Sequence, residues 1–368
     1  MPKKLFFTVT NDLTYDQRMQ RICSCLAANG YEVTLVGRKL KRSKPLQQQL
    51  FQQKRIRCWF NSGKLFYAEY NTRLFFYLLF KRMDLICAID LDTILPCLYI
   101  SKLKRICRVY DAHELFSEMK EIVTRPAIKK IWDRVERKAV PQFRHGYTVC
   151  ESIAEEFTRR YGVQYQVVRN VPVTKILSTS EKQVNNQPRI LLYTGAVNEA
   201  RGFEYLIPAL RHIDARLVVC GDGNFMPQLK QLINGYQVGD KVTLTGMLLP
   251  NELWQYTLSA DIGIALCENE GLNQYYSLPN KFFDYIQAGL PQIAMAFPEY
   301  ERVNKQYRVA VLVDDMTPER LAEQINNLLQ DVVLYETLRQ NCLEAKHFLN
   351  WEVEQKKLIS FYKSILQD

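Results

Sequence analysis

Short apolar runs typical of β-strands alternate with helix-like segments along the whole of this sequence. Such an alternation is the signature of parallel sheets whose two faces are covered by helices. A chain of 368 residues is too long for one compact core and suits two domains. The sequence therefore predicts an α/β fold with two doubly wound, parallel sheets. The apolar runs lie at Leu5–Thr10, Glu32–Val36, Leu85–Ala88, Arg108–Tyr110, Gly146–Val149 and Tyr165–Val168 in the first half, and at Ile190–Tyr193, Arg216–Cys220, Lys241–Thr245, Asp261–Ala265, Gln292–Ala296 and Ala310–Val313 in the second.

A polar stretch, Ser178–Arg189, is the predicted linker because it is rich in Ser, Thr, Gln and Asn. We therefore expect one Rossmann-like domain at residues 1–180 and another at 186–349. The last segment, 350–368, has helical periodicity. Ligands of doubly wound sheets bind at the carboxyl ends of the strands. Two such domains facing each other would therefore enclose a cleft.

Charge is divided unevenly between the two halves. Residues 1–185 hold 33 Lys and Arg against 17 Asp and Glu, whereas residues 186–368 hold 16 against 22. The basic half interleaves its cations with aromatic residues, as in the segment 64–77. Three interpretations stay open: a surface for anionic lipid headgroups, a solvated basic face, and a nucleic-acid surface. No nucleic-acid recognition motif supports the third, so we expect no nucleic-acid partner.

The chain is expected to be cytoplasmic, with peripheral association to the inner face of the membrane as one option. The apolar run after Met1 is short and lacks a cleavage site of the signal-peptide type. The longest membrane candidate, Lys64–Met83, is interrupted by charges, and a spanning helix needs about 20 apolar residues. Ten cysteines lie mostly in apolar runs without C-x-x-C spacing, which indicates buried thiols and no zinc site.

Glycines end three successive strands of the predicted second domain. The first strand ends at Gly195, and a short loop then leads through Arg201 and Gly202 into a helix predicted at Phe203–His212. Backbone amides near a glycine turn can hold phosphate, and a guanidinium adds a fork of donors. A turn glycine and a surface arginine are the alternative. The next strands end at Gly221, Gly223 and Gly246, and the set suggests one bound nucleotide.

A helix predicted to begin near Asn280 and to stop at Gly289 gives the strongest local pattern. Asn280 or Ser277 is expected to cap it. Lys281 in its first turn suits a diphosphate, because a helix N-terminus also carries partial positive charge. Asp284, about one turn further on, suits the hydroxyls of a ribose.

Polar residues also follow strands of the first domain. Asp111, His113 and Glu114 come at the carboxyl end of one strand and could contact sugar hydroxyls. Asn11 and Asp12 follow the first strand. Asp92 follows another and is expected at the same edge.

Taken together, these motifs resemble the family-four retaining glycosyltransferases, which have the two-domain GT-B fold. The residues that carry the resemblance are Thr194–Gly202, Gly221–Gly223, Tyr256–Ala265 and Leu278–Pro291 in the second half, with Asn11–Arg18, Asp111–Glu114 and Asn170–Pro172 in the first. The first half looks like a branch found in bacterial surface-polysaccharide clusters. The resemblance implies sugar transfer from a UDP- or GDP-linked donor to a lipid-linked, lipopolysaccharide or exopolysaccharide glycan.

The resemblance also implies residue roles. Arg201 and Lys281 would hold the donor diphosphate, and Asp284 would match the second acid of the family's Glu-x7-Glu motif. His113, beside Asp111, would lie near the transferred sugar. Asp16 and Arg18 would belong to the acceptor side, no metal or cofactor would be needed, and the helix Trp351–Leu366 would cross back to the first domain.

Two positions depart from the family pattern, and the first is Asp284, which stands where the second acid of the motif is Glu. Tyr276 stands where the first acid of the motif belongs, and either Glu270 or a backbone amide would contact the donor sugar there. The alternatives are a nucleotide-sugar epimerase of the same fold and a homologue that only binds sugar nucleotides.

Overall fold

The computed structural model describes residues 1–14, 16–176 and 188–366. Within them the chain divides into two compact units. The first comprises Met1–Asn170, Gly271–Asn273 and Glu354–Asp368, and the second comprises Val171–Glu270 and Gln274–Val353. The predicted domain limits at 180 and 186, and most of the predicted linker, fall outside the described residues.

The first unit is built on a seven-stranded parallel sheet, as counted over the described residues, in the order β3-β2-β1-β4-β5-β6-β7. Its strands are β1 Lys4–Thr8, β2 Glu32–Lys39, β3 Gln52–Arg57, β4 Leu85–Ile89, β5 Cys107–Ala112, β6 His145–Thr148 and β7 Gln166–Val167. Its helices are α1 Gln17–Ala28, α2 Gly63–Leu79, α3 Ile94–Lys104, α4 Lys120–Val123, α5 Pro126–Ala139 and α6 Glu151–Tyr161. The central strands read as continuous apolar runs because helices bury both faces of the sheet.

The second unit has a six-stranded parallel sheet over the same described part of the chain, in the order β10-β9-β8-β11-β12-β13. Its strands are β8 Arg189–Thr194, β9 Ala215–Cys220, β10 Val242–Gly246, β11 Ile262–Ala265, β12 Gln292–Met295 and β13 Ala310–Val313. Its helices are α7 Phe203–Ala209, α8 Met226–Gly235, α9 Pro250–Ser259, α10 Leu272–Tyr276 (begun by first-unit residues), α11 Asn280–Gln287, α12 Pro298–Tyr307, α13 Pro318–Gln330 and α14 Val332–Ala345. The predicted α/β class with two doubly wound sheets is therefore confirmed.

The last helix, α15 Trp351–Leu366, begins in the second unit and continues in the first. Phe361 and Tyr362 pack on Tyr147 with ring centroids 5.3 and 6.2 Å apart. The predicted return of the terminal helix to the first domain is thus confirmed. The first segment of the first unit ends at Asn170, and the next residue, Val171, is buried in the core of the second unit.

One strand was missed and two local predictions were wrong. The strand β3 was not predicted, because its sequence is mostly polar and only Ile56 is buried. The helix predicted at Phe203–His212 ends at Ala209, where the chain tightens into a 3-10 turn. No residue caps α11 with its side chain: Pro279 holds the N-cap position and Asn280 is the first helical residue.

No helix among the described residues is long and apolar enough to span a bilayer.

In each sheet, the first strand has earlier-added strands on one side and later-added strands on the other, so the strand order reverses next to it. The candidate site residues lie at these two reversals. In the first sheet β1 lies between β2 and β4, and in the second β8 lies between β9 and β11. Ligands of doubly wound sheets bind in the crevice that such a reversal opens at the carboxyl ends of the strands.

Candidate functional site

The glycines at the strand ends of the second unit let three loops pack together. The amide of Gly195 donates to the carbonyl of Cys220 at 3.0 Å. A Cβ on Gly221 would lie 1.8 Å from the oxygen of Gly195, and one on Gly223 would lie 2.2 Å from that of Val197. Gly246 pairs with Gly221 in an isolated bridge. The backbones of these loops therefore lie in direct contact, which a side chain at Gly221 or Gly223 would prevent.

The loop between β8 and α7 is tightly wound and presents Arg201. Gly195, Ala200 and Gly202 all have positive φ, at 114°, 60° and 74°. The carbonyl of Ala200 accepts from the amide of Glu268 at 3.1 Å, which ties this loop to the one after β11. Arg201 is partly exposed at the end of the loop, where its guanidinium can reach a bound anion.

Lys281 lies in the first turn of α11 with its ammonium nitrogen buried and, among the described residues, without a hydrogen-bond partner. Its Nζ sits 3.3 Å from the ring centroid of Tyr193, and its Cε would lie 3.8 Å from a Cβ on Gly195. Burial lowers the pKa of Lys281 well below its usual value, and the nearby charge of Arg201 lowers it further. The structure therefore brings the two predicted diphosphate ligands together, and within the described part of the chain the Lys281 ammonium has no hydrogen-bonded anion.

The helix that carries Lys281 is fixed to the sheet by Tyr285. The hydroxyl of Tyr285 donates to the carbonyl of Leu192 at 3.0 Å and accepts from the amide of Thr194 at 3.2 Å. A Cβ on Gly263 would lie only 2.4 Å from the Tyr285 ring, so β11 needs glycine there. The roles of these residues, and of Tyr193, could not be predicted, because strand and helix periodicity predicts burial without predicting partners.

The other predicted donor residues lie in the second unit with partial exposure. The Oδ1 atom of Asp284 is 4.0 Å from the Nζ atom of Lys175, which in turn lies 3.9 Å over the ring of Trp254. Asn280 is exposed, and Glu270 is partly exposed at the end of the loop after β11. Their roles toward a donor stay predictions.

In the first unit, His113 lies between two carboxylates. Its Nε2 atom is 3.1 Å from Oδ2 of Asp111, although the two are not aligned as a hydrogen bond, and its Nδ1 atom is 3.7 Å from Oδ2 of Asp90. Its backbone amide donates to Oδ1 of Asp90 at 2.8 Å. Arg18 donates to Oδ1 of Asp111 at 3.1 Å and to the carbonyl of Val168 at 3.2 Å. These contacts hold the imidazole at the carboxyl ends of β4 and β5.

Electrostatics in this cluster favour a charged imidazole. Burial alone would lower the pKa of His113, but Asp111 and Asp90 raise it to about 8. Burial would likewise raise the pKa of Asp111, but His113 and Arg18 hold it below its usual value. Burial raises the pKa of Asp90 to about 8. Asp90 also has φ of 53°, a strained conformation for a residue other than glycine and one that is concentrated at functional sites.

Asp111 and Arg18 form a buried ion pair beside His113. Asp111 is fully buried and Arg18 is 6% exposed, and each is bonded to the other. Asp111 has no exposed surface and Arg18 has little, and their roles toward a sugar stay predictions.

Other acceptor-side residues are bonded within the first unit. Asp12 lies 2.5 Å from a guanidinium nitrogen of Arg55 and accepts from Ser43 and Thr14. Asp16 accepts from the amide of Met19 at 3.0 Å and so caps α1. Asn11 donates a hydrogen bond to Asp16, and Asp92 accepts one from Thr10. Glu114, the last of the acceptor-side residues, is partly exposed.

Comparison with known proteins places the chain in a family. The glycosyl transferases group 1 profile matches residues 177–363, and the glycosyltransferase family 4 profile matches residues 17–172. A GDP-mannose-dependent alpha-(1-6)-phosphatidylinositol monomannoside mannosyltransferase of Mycobacterium tuberculosis is 27% identical over 179 residues, 46% of this chain and 46% of that protein. The chain thus spans about half the length of the curated relative that it matches.

Solved structures share the fold at low identity. Sucrose-phosphate synthase from Thermosynechococcus elongatus has a TM-score of 0.78 at 18% identity, with 99% of each chain covered. HepE from Anabaena, solved with UDP-glucose, has a TM-score of 0.76 at 12% identity, with 98% of this chain and 99% of that chain covered. These likenesses concern the fold alone and agree with the predicted GT-B class. Since one family profile covers half of the chain and a second covers most of the remainder, this protein belongs to the glycosyl transferases group 1 family.

Proposed function

We propose that this protein transfers a sugar from a UDP- or GDP-linked donor to a glycan acceptor and retains the anomeric configuration. The observation that carries the proposal is the buried ammonium of Lys281, which lies near Arg201 without an anionic partner among the described residues. An unpaired buried charge is costly, so a site with two of one sign suits a ligand of the opposite sign. A nucleoside diphosphate bound at the carboxyl end of β8 is such a ligand.

The chemistry follows from where charge develops. As the bond to the sugar breaks, the leaving diphosphate gains negative charge and the sugar becomes oxocarbenium-like. Arg201, Lys281 and the first turn of α11 would stabilise the leaving group, and removal of one such preorganised contact typically costs about 3 kcal/mol. Because these cations are in place before the reaction, we propose that no metal or cofactor is required.

His113 acts as a hydrogen-bond donor to a sugar hydroxyl in this proposal. Its Nδ1 atom, 3.7 Å from Asp90, is too far for a hydrogen bond with that carboxylate and can donate to a substrate instead. Asp111 and Arg18 then act as positioning residues, because they hold the His113 ring in place and do not themselves contact the sugar.

The acceptor class is proposed from the relative and from the surface of the first unit. The matched relative acts on a phosphatidylinositol monomannoside, as its name states. A lipid-linked or lipopolysaccharide-type glycan is consistent with the basic, aromatic first half. Exposed aromatic rings there include Trp59 at 80% and Phe80 at 81%, and Arg73 lies 4.6 Å from the centroid of Trp59. We propose a cytoplasmic protein that rests on the anionic inner face of the membrane.

The test is product analysis with purified protein. UDP- and GDP-linked sugars are supplied with a lipid-linked oligosaccharide acceptor, and the anomeric configuration of the product is read by NMR. A glycosylated acceptor with the donor's configuration is expected. If the product is an epimerised nucleotide sugar, the protein is an epimerase and not a transferase. If the donor binds but is neither hydrolysed nor transferred, the protein only binds sugar nucleotides.

A further inference from the structure

The first unit contains a cavity of about 590 Å³ between α2, α4 and α5. This volume lies within the range of small-molecule sites, which are mostly apolar with a few placed polar groups. The walls are mainly aliphatic and aromatic, and they include Tyr67, Leu91, Leu95, Phe116, Ile122 and Trp132. The proposed donor site, in the second unit, uses none of these residues.

The aromatic walls of the cavity are held by contacts with one another. The ring of Trp132 lies edge-on to Phe116 and to Tyr67, with centroids 4.8 and 5.2 Å apart. Two further lining residues, Ile128 and Ile131, are 38% and 55% exposed. A preformed apolar pocket whose aliphatic lining reaches solvent suits a chain that enters from outside.

Charge at the cavity favours an anionic occupant. Lys64 and Arg125 line it and are exposed, and the acids of the lining are Asp92 and the exposed Glu121. The helix α5, which forms one wall, also carries exposed cations at Lys130 and Arg134. With these two, four exposed cations stand beside the two acids, which matches a phosphate placed at the end of an apolar chain.

The cavity also adjoins the histidine cluster. Asp92 lines the cavity and stands two residues after Asp90, whose carboxylate accepts from the amide of His113. Phe116, another lining residue, stands three residues after His113. A molecule that fills the cavity therefore reaches the edge of the sheet where His113 lies.

We propose that this cavity binds the apolar chain of an alkyl- or prenyl-phosphate, with the phosphate at Lys64 and Arg125. The inference rests on the proposed function and specifies its acceptor: the glycan is carried on a phosphate-linked lipid, and the cavity holds the part of that lipid nearest the phosphate.

Calorimetry with decyl phosphate, below its micelle concentration, tests this inference. Inorganic phosphate and decyl glucoside serve as probes that lack the chain or the charge. Ala68→Trp fills the cavity from α2, and Leu65→Trp is the matched control because Leu65 lies on the same helix, is 52% exposed and does not line the cavity. Lys64→Glu with Arg125→Glu reverses the two cations, and Lys3→Glu, at an exposed lysine that does not line the cavity, is its control.

Decyl phosphate should bind at least tenfold more tightly than either partial probe. Ala68→Trp and the double charge reversal should each weaken it at least tenfold, while both controls stay within twofold of wild type. Unchanged binding in Ala68→Trp, or equally tight binding of decyl glucoside or inorganic phosphate, would overturn the inference. The charge reversal, at exposed positions, keeps the test valid if Ala68→Trp fails to fold.

Binding of UDP and GDP is measured on the same variants to separate the two proposals. Loss of lipid-phosphate binding with intact nucleotide binding concerns the cavity alone. Failure of the proposed function would instead appear as absent nucleotide binding in the wild-type protein.

Discussion

His113 is a residue whose charge is set by its neighbours. Two carboxylates lie within 3.7 Å of its ring, and Arg18 fixes one of them from behind. A raised pKa means that the folded protein holds the ring proton more tightly than the unfolded chain does. At neutral pH the side chain is therefore a cation and a donor, and it is poorly suited to act as a general base.

Asp111→Asn should lower the pKa of His113 from about 8 toward 6.5, because the neutral amide no longer offsets burial. The measurement is an NMR titration of the histidine ring resonances. His145, whose pKa is lowered by burial and by Arg144, is the internal control and should not move. A pKa of His113 that stays near 8 in the variant would refute the role given to Asp111.

The same ion pairs should make stability depend on pH. The folded pKa of about 8 lies above the ordinary value of 6.5, so the stabilisation is complete below pH 6.5 and is lost as pH rises through about 8. Breaking a buried pair costs about 3 kcal/mol. Urea unfolding should show that Asp111→Asn lowers the free energy of unfolding by about 3 kcal/mol at pH 6.5 and by less at pH 9. An equal difference at the two pH values would contradict this linkage.

At the scale of elements, α11 is held by a fit between one strand residue and one helix residue. Gly263 leaves room for the ring of Tyr285, whose hydroxyl bonds to β8. Lys281 lies one turn before Tyr285 on the same helix. The position of the ammonium therefore depends on packing behind the helix as much as on the loop in front of it.

Gly263→Ala should destabilise the protein by about 1–3 kcal/mol, because the added methyl overlaps the Tyr285 ring. Gly235→Ala is the matched control, since a Cβ there meets nothing within 4 Å and α8 tolerates alanine. Chemical denaturation of both variants measures the difference. Equal stability of the two would show that β11 and α11 are not packed as described.

The elements that the sequence could predict are those with continuous apolar runs. Strands such as β1 and β4 are buried on both faces and carry that pattern, whereas the polar strand β3 does not. The arginine at position 201 and the lysine at position 281 indicated an anion site, and the structure brings Arg201 and Lys281 close together. The partners Tyr193 and Tyr285 were beyond prediction, because tertiary contacts between distant segments leave no periodic signal.

At the scale of the whole molecule, the two units differ in charge and surface. The first half is strongly basic, and its exposed apolar side chains include Trp59, Phe76 and Phe80. Cations beside exposed aromatic rings suit the boundary between lipid headgroups and acyl chains.

Vesicle sedimentation tests this surface. The protein should bind vesicles that contain phosphatidylglycerol at low salt, and binding should weaken above about 0.1 M salt, where screening acts within about 10 Å. Trp59→Ser with Phe80→Ser should reduce binding severalfold. Val332→Ser with Val333→Ser, two exposed valines of the second unit, is the control and should bind as wild type. If the protein binds neutral vesicles as strongly as anionic ones, an electrostatic contribution to membrane binding is refuted.

The central claim is that Lys281 and Arg201 form the site for the donor diphosphate, and Lys281→Met tests it directly. Calorimetry should show UDP or GDP binding weakened at least tenfold, a loss of about 1.4 kcal/mol. The unliganded variant should be as stable as wild type or more so, because an unpaired buried charge has been removed. Lys305→Met, at an exposed lysine of α12, should change neither quantity. Wild-type nucleotide affinity in Lys281→Met would contradict the claim.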